Sequence, residues 1–186
     1  MRCDPNRIDE RHAPALAGLT ELRALVPEAV EIWAGGACAG LTLVTTQRAI
    51  GYREALAELG LSRYANVVSA AQTPREIQTA ARHLLQSRSP PEAIFCWTDF
   101  IALEVLSAVK ELGLSVPRDV AVVGYDNTTY CDLAQNALTS IDQSGQVLGL
   151  QAARLLIERI KGRETPEHFV VTPRLVARAS SGRRVE

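Results

Sequence analysis

Apolar residues fall into two alternating patterns along this chain. Short runs that are apolar nearly throughout occur at 30–35 (VEIWAG), 65–69 (ANVVS), 92–97 (EAIFCW) and 120–125 (VAVVGY), with LTSID at 138–142 as a further short segment. Such runs, unlike strictly alternating ones, describe strands covered by other elements on both faces. Between them, apolar residues recur every three or four positions, the period of helices that bury one side. TTQRAIGYREALAELG predicts a helix with Ala49, Leu56 and Leu59 on one side, Thr45 or Thr46 as N-cap and Gly60 as its stop. Thr73, Pro74 and Glu76 form a capping box ahead of a helix that buries Ile77, Ala81, Leu84 and Leu85. Asp99 is expected to cap a third helix with the stripe Ile101, Val105, Val109 and Leu112, ended by Gly113. A fourth runs from about Ser144 to Lys161, with Leu148, Ala152, Leu155 and Leu156 inward and Gly162 at its end. HFVVTPRLVARASS then closes the chain in extended form, and Pro173 favours an edge or a crossing between sheets. Strand–helix–strand order of this kind implies right-handed crossovers and an α/β fold on a parallel sheet.

With 186 residues, 47% of them hydrophobic, the chain can bury a substantial core. A formal net charge of -1 and a pI near 6.3 do not suggest a basic nucleic-acid-binding face within these residues. Cys3, Cys38, Cys96 and Cys131 lie far apart, without a CxxC or a histidine pair, so neither a metal nor a cofactor is expected. Cys96, inside AIFCW, reads as a small buried hydrophobe. The opening MRCDPNRIDERH lacks the apolar core of a secretory leader, and no run approaches the length of a membrane span. These features point to a cytoplasmic protein with reduced thiols and no membrane partner.

Candidate chemistry gathers where strands end. Asp126 follows VAVVGY, Trp97, Thr98 and Asp99 follow EAIFC, and Arg48 lies early in the first helix. In open α/β sheets these ends form the rim where ligands bind. An arginine fork and a carboxylate there suit a small polyhydroxylated ligand, with Trp97, Tyr125 or Tyr130 offering a flat apolar face. Each residue also has a plain structural reading. Arg48 fits a helix-surface ion pair, Trp97 fits packing, and Asp126 with Asn127 fits a turn.

Four segments carry a family resemblance: RAIGYREALAELGL (48–61), PPEAIFCWTDFIALEVLSAVKELGLSVPRDVAVVGYDNTTY (90–130), ALTSIDQSGQVLGLQAARLLIERIKG (137–162) and VVTPRLVARASSG (170–182). Together they resemble the LacI/GalR family of bacterial transcription regulators. The resemblance implies the type I fold of periplasmic binding proteins, a three-layer parallel-sheet sandwich. Threaded on it, 40–139 and 173–186 form a complete C-terminal effector lobe. Residues 1–39 and 140–172 form part of an N-terminal lobe, and the helix-turn-helix domain is absent. It further implies a homodimer, a sugar or related metabolite as effector, and control of operator DNA through that absent domain. The family's effector arginine matches Arg48 and its aspartate matches Asp126. Thr98 stands where the family has asparagine, and Asn127 replaces a common second aspartate. A transporter's sugar-binding protein shares this fold and is the alternative function. A nucleotide-dependent enzyme is disfavoured because no GxGxxG or P-loop follows any predicted strand and no catalytic set can be assembled.

Overall fold

The structure, a computed structural model, describes residues 29–34, 42–70, 73–133, 135 and 137–182. Cys3, Cys38 and most of the expected 1–39 lobe lie outside them. The described strands are β1 (Ala29–Ala34), β2 (Val67–Ala70), β3 (Ala93–Cys96), β4 (Ala121–Tyr125), β5 (Thr139–Asp142) and β6 (Arg174–Val176), and the helices α1 (Thr42–Glu58), α2 (Pro74–Leu85), α3 (Asp99–Glu111) and α4 (Gly145–Ile160). The six strands form one sheet in the order β2-β1-β3-β4-β5-β6. The first five are parallel, and β6 joins as an antiparallel edge with Leu175 opposite Ile141.

β3 and β4 are buried along their whole length, so alternate side chains enter two different cores. Ile94, Cys96 and Val122 face α2 and α3, where Ile77, Ala81, Leu85, Ile101, Val105 and Val109 meet them. Phe95, Val123, Tyr125 and Ile141 face α1, whose Tyr52 and Leu56 complete the second core. Each fully buried aliphatic side chain contributes about 1.5–3 kcal/mol, so these two layers hold the sandwich. The α/β class, the parallel sheet and the three layers agree with the sequence-based expectation.

Local details depart from it. α1 starts at Thr42, placing Thr45 and Thr46 inside the helix. Threonine lowers helix propensity by only a few tenths of a kcal/mol and does not by itself start or stop a helix. Thr98, not Asp99, is the N-cap of α3: its backbone is extended and its Oγ1 accepts the Ile101 N–H at 3.3 Å. The capping box at Thr73 forms as read, and Gly113, at φ 71°, takes the left-handed turn after α3. β1 is paired on both edges, with β2 and β3. Leu148, Ala152 and Leu156 of α4 are exposed and Leu155 is half-buried, where an inward stripe was expected. The helix has the right period but buries none of its residues fully.

Candidate functional site

The strand order places β1 between β2 and β3, so the order in which successive strands are added reverses there. α1 crosses on one face of the sheet, and α2 with α3 on the other. Sheets of this topology bind ligands at that reversal, outside the carboxyl ends of the strands. Arg48 of α1 reaches this rim. Its Nη1 donates to the Trp97 carbonyl oxygen at 2.7 Å, just past β3. The same guanidinium lies over the Tyr125 ring, 3.6 Å from its centroid, and 5.8 Å from that of Trp97. A planar cation suits an aromatic face, which offers the negative side of its quadrupole.

Asp126 follows Tyr125 directly and sits half-buried in the left-handed region, φ 107°, with Asn127 at φ 51°. Burial pushes the Asp126 carboxyl up to about 6; Arg48 pulls against this, and the nearby Asp99 adds to it. Burial likewise raises Tyr125, against the pull of Arg48. Gln143, from the turn between β5 and α4, donates its Nε2 hydrogen to Asp126 Oδ1 at 2.8 Å. A cation, a proton-hungry carboxyl group and an amide thus meet from three distant segments, with aromatic rings alongside. Such a set can donate to and accept from a ligand's hydroxyls while a ring covers its apolar face.

Of the five sequence-predicted residues, Arg48, Trp97, Tyr125 and Asp126 come together, though Trp97 contributes its carbonyl and its ring is buried in the α2–α3 core. Thr98 is at the same rim but its hydroxyl oxygen is engaged in capping α3. Tyr130 is exposed in the short 3-10 turn 129–132. Sequence reasoning passed over Gln143; the signal available was its place just past LTSID, another strand end on the same rim. Among the described residues, no group of three or more His, Cys, Asp or Glu could hold a metal, and no helix is long and apolar enough to cross a membrane.

Comparison with known proteins supplies the class. The family model for a periplasmic binding protein-like domain matches residues 37–181. A transcriptional regulator of the HTH type from Thermobifida fusca, CelR, is 37% identical over 136 residues, which is 72% of this chain and 40% of that protein. The repressor PurR of Pectobacterium carotovorum is 35% identical over 135 residues, again 72% of this chain and 40% of its own length. Among solved structures, a LacI transcriptional regulator from Rhodococcus superposes with a TM-score of 0.80 at 27% identity, covering 93% of this chain and 63% of that one. A CelR–cellobiose complex superposes at 0.74 with 30% identity, covering 93% of this chain and 52% of the other. The chain belongs to the periplasmic-binding-protein-like domain family, in the form carried by LacI-type transcriptional regulators. It spans about 40% of the length of the curated relatives it matches.

Proposed function

We propose that this chain is the effector-sensing region of a LacI-type regulator, binding a sugar or related polyhydroxylated metabolite at the rim built by Arg48, Trp97, Thr98, Tyr125, Asp126 and Gln143. The observation that carries the reading is the Arg48 guanidinium lying over Tyr125, bonded to the Trp97 carbonyl and electrostatically coupled to Asp126. Relatives support the ligand class: one solved neighbour is CelR with cellobiose, and another, a LacI-family regulator from Arthrobacter at 25% identity and TM-score 0.74, is complexed with lactose. The chain acts as a binding module without catalysis, in the cytoplasm where operator DNA is found. Effector occupancy biases two conformations of a homodimer and so its hold on DNA. DNA contact itself is the task of a helix-turn-helix domain of the kind the relatives' names record.

Isothermal titration of the full chain with cellobiose, lactose and a panel of hexoses, pentoses and nucleosides tests this directly. A saturable signal is expected for at least one compound. Arg48→Ala should weaken that ligand roughly 10- to 150-fold, the loss of about 1.5–3 kcal/mol for a charged hydrogen bond. Silence across the panel, or an Arg48→Ala protein that binds like the wild type, would refute the site.

A further inference from the structure

Asp99 opens α3 yet is only 1% exposed, its carboxyl group lodged in the seam between β4 and β5. Buried carboxyl groups need partners, since an unsatisfied one forfeits its hydration without return. Asp99 finds them on both sides of the Asp126 turn. Its Oδ2 accepts the Thr128 N–H at 2.7 Å, and its Oδ1 accepts the Ser140 hydroxyl at 2.5 Å. Ser140 Oγ in turn accepts the Asn127 N–H at 3.0 Å. The Cys131 thiol, pushed up to about 11 chiefly by burial, is hydrogen-bonded to the same carboxyl group. Arg178 closes the cage from β6's side, its Nη2 donating to Asn127 Oδ1 at 2.9 Å and its Nη1 to the Leu138 carbonyl at 2.8 Å.

The strand beside this cage is shaped to admit Asp99. A Cβ added at Gly124 would stand 3.3 Å from the Asp99 Cα and 3.2 Å from Leu138 Cδ2, and would overlap Asp99 Oδ1. Glycine at this point of β4 lets the carboxyl group reach under the turn. Two successive non-glycine residues with positive φ, Asp126 and Asn127, cost of order 1–3 kcal/mol each and persist only where surroundings hold them. Besides the Ile141 carbonyl, which accepts the Asp126 N–H at 2.9 Å, and Arg178 on Asn127, the bonds from Thr128 N–H and through Ser140 Oγ converge on the Asp99 side chain.

We propose that Asp99 is the positioning residue of the site: through Thr128 and Ser140 it fixes the left-handed turn at 126–127 and so sets where the Asp126 carboxyl group stands opposite Arg48. The proposal rests on reading the rim as the effector cleft, but its mechanics do not require a ligand. The charged and titratable groups facing Asp126 are Arg48 from α1, Asp99 from α3 and its neighbour Tyr125 on β4; Gln143, from the turn after β5, is neutral.

The test is carbon-13 NMR of the full chain with labelled aspartate, together with amide hydrogen exchange, on wild type, Asp99→Asn, Ser140→Ala and a control, Val105→Ala, in the core of the same helix. In Asp99→Asn the Asp126 carboxyl should titrate at least about half a unit lower, having lost a like charge and gained water. The Asn127 and Thr128 amides should exchange about tenfold faster in both Asp99→Asn and Ser140→Ala. Val105→Ala should lower the melting temperature while leaving the Asp126 titration and both amides where they were. Should Asp99→Asn fail to fold, the Ser140→Ala amides decide. Wild-type exchange and titration in folded Asp99→Asn, or wild-type amides in Ser140→Ala, overturns the proposal. Cellobiose titration runs alongside: weakening of about tenfold or more in Asp99→Asn extends the positioning to the ligand. A wild-type chain that ignores the whole panel counts against the effector reading alone, because the NMR result stands without a sugar.

Discussion

Asp126 is held in a state that disfavours its own charge. Burial, chiefly, lifts its carboxyl from 3.8 to about 6, against the pull of Arg48. Between those values the folded chain keeps a proton that the unfolded chain releases, so this group favours folding on the acid side and opposes it as pH rises through about 6. Asp126→Asn removes the charge while keeping a residue type that tolerates positive φ. The variant should therefore melt higher than wild type at about pH 8, with the gap closing towards about pH 4.5. Affinity for a hydroxylated ligand should move oppositely. It falls in the variant, and in wild type it falls as pH drops below about 6, because a neutral carboxyl is the weaker acceptor. Melting curves across this range, paired with titration of the bound sugar, check both halves; parallel curves for the two proteins would remove Asp126 from any charged role. A residue that costs stability and serves binding is what a functional site leads one to expect.

At the scale of elements, the closing segment after β6 works as a clasp across β4 and β5. Ser180 Oγ donates to the Val122 carbonyl at 2.6 Å and accepts the Thr139 N–H at 2.8 Å, while its own main chain bonds Val122 and Ala137. Thr139 and Ser181 share a buried hydroxyl pair at 2.7 Å. Ser180→Ala leaves the Thr139 N–H and the Val122 carbonyl stranded in a dry seam, which should cost about 1–3 kcal/mol in urea unfolding. Less than about 0.5 kcal/mol would mean water takes the hydroxyl's place. Much of this architecture was legible beforehand, because apolar runs this short and rich in Val and Ile fit covered strands and because the strand–helix alternation brings their ends to one rim. That logic brought Arg48 and Asp126 together from 78 positions apart in the chain. The choice between Thr98 and Asp99 as the cap was not legible. Either side chain can cap a helix, and the choice depends on Ser140, 41 residues on, giving Asp99 something better to bind. Gln143 was missed for a similar reason: an amide is unremarkable in sequence until its partner is known.

For the molecule as a whole, α4 is the part whose packing is incomplete. Leu150 is 69% exposed, Leu156 61% and Ile160 77%, with Ile157, Phe169 and Val170 also open to solvent. The expected inward stripe was sound as a helical period, but periodicity says only that a face wants cover, not which chain supplies it. Exposed apolar side chains gathered on one helix and the segment after it are the kind of surface that a partner covers. Solved neighbours such as the Rhodococcus regulator are longer than this chain, which covers 63% of that structure. For the 186-residue chain by itself, the available partner is a second copy, consistent with the homodimer proposed above. Sedimentation velocity at micromolar concentration should return a dimer. Leu156→Glu combined with Ile160→Glu should shift it to monomer, since burying two carboxylates in an apolar interface costs far more than the contacts return. Because both residues already lie in water in the single chain, the double variant should stay folded and keep its Arg48-dependent sugar binding as a monomer, with a melting temperature that no longer rises with protein concentration. A wild-type chain that sediments as a monomer, with α4 amides exchanging as fast as those of an unprotected helix, would remove α4 as the dimer interface.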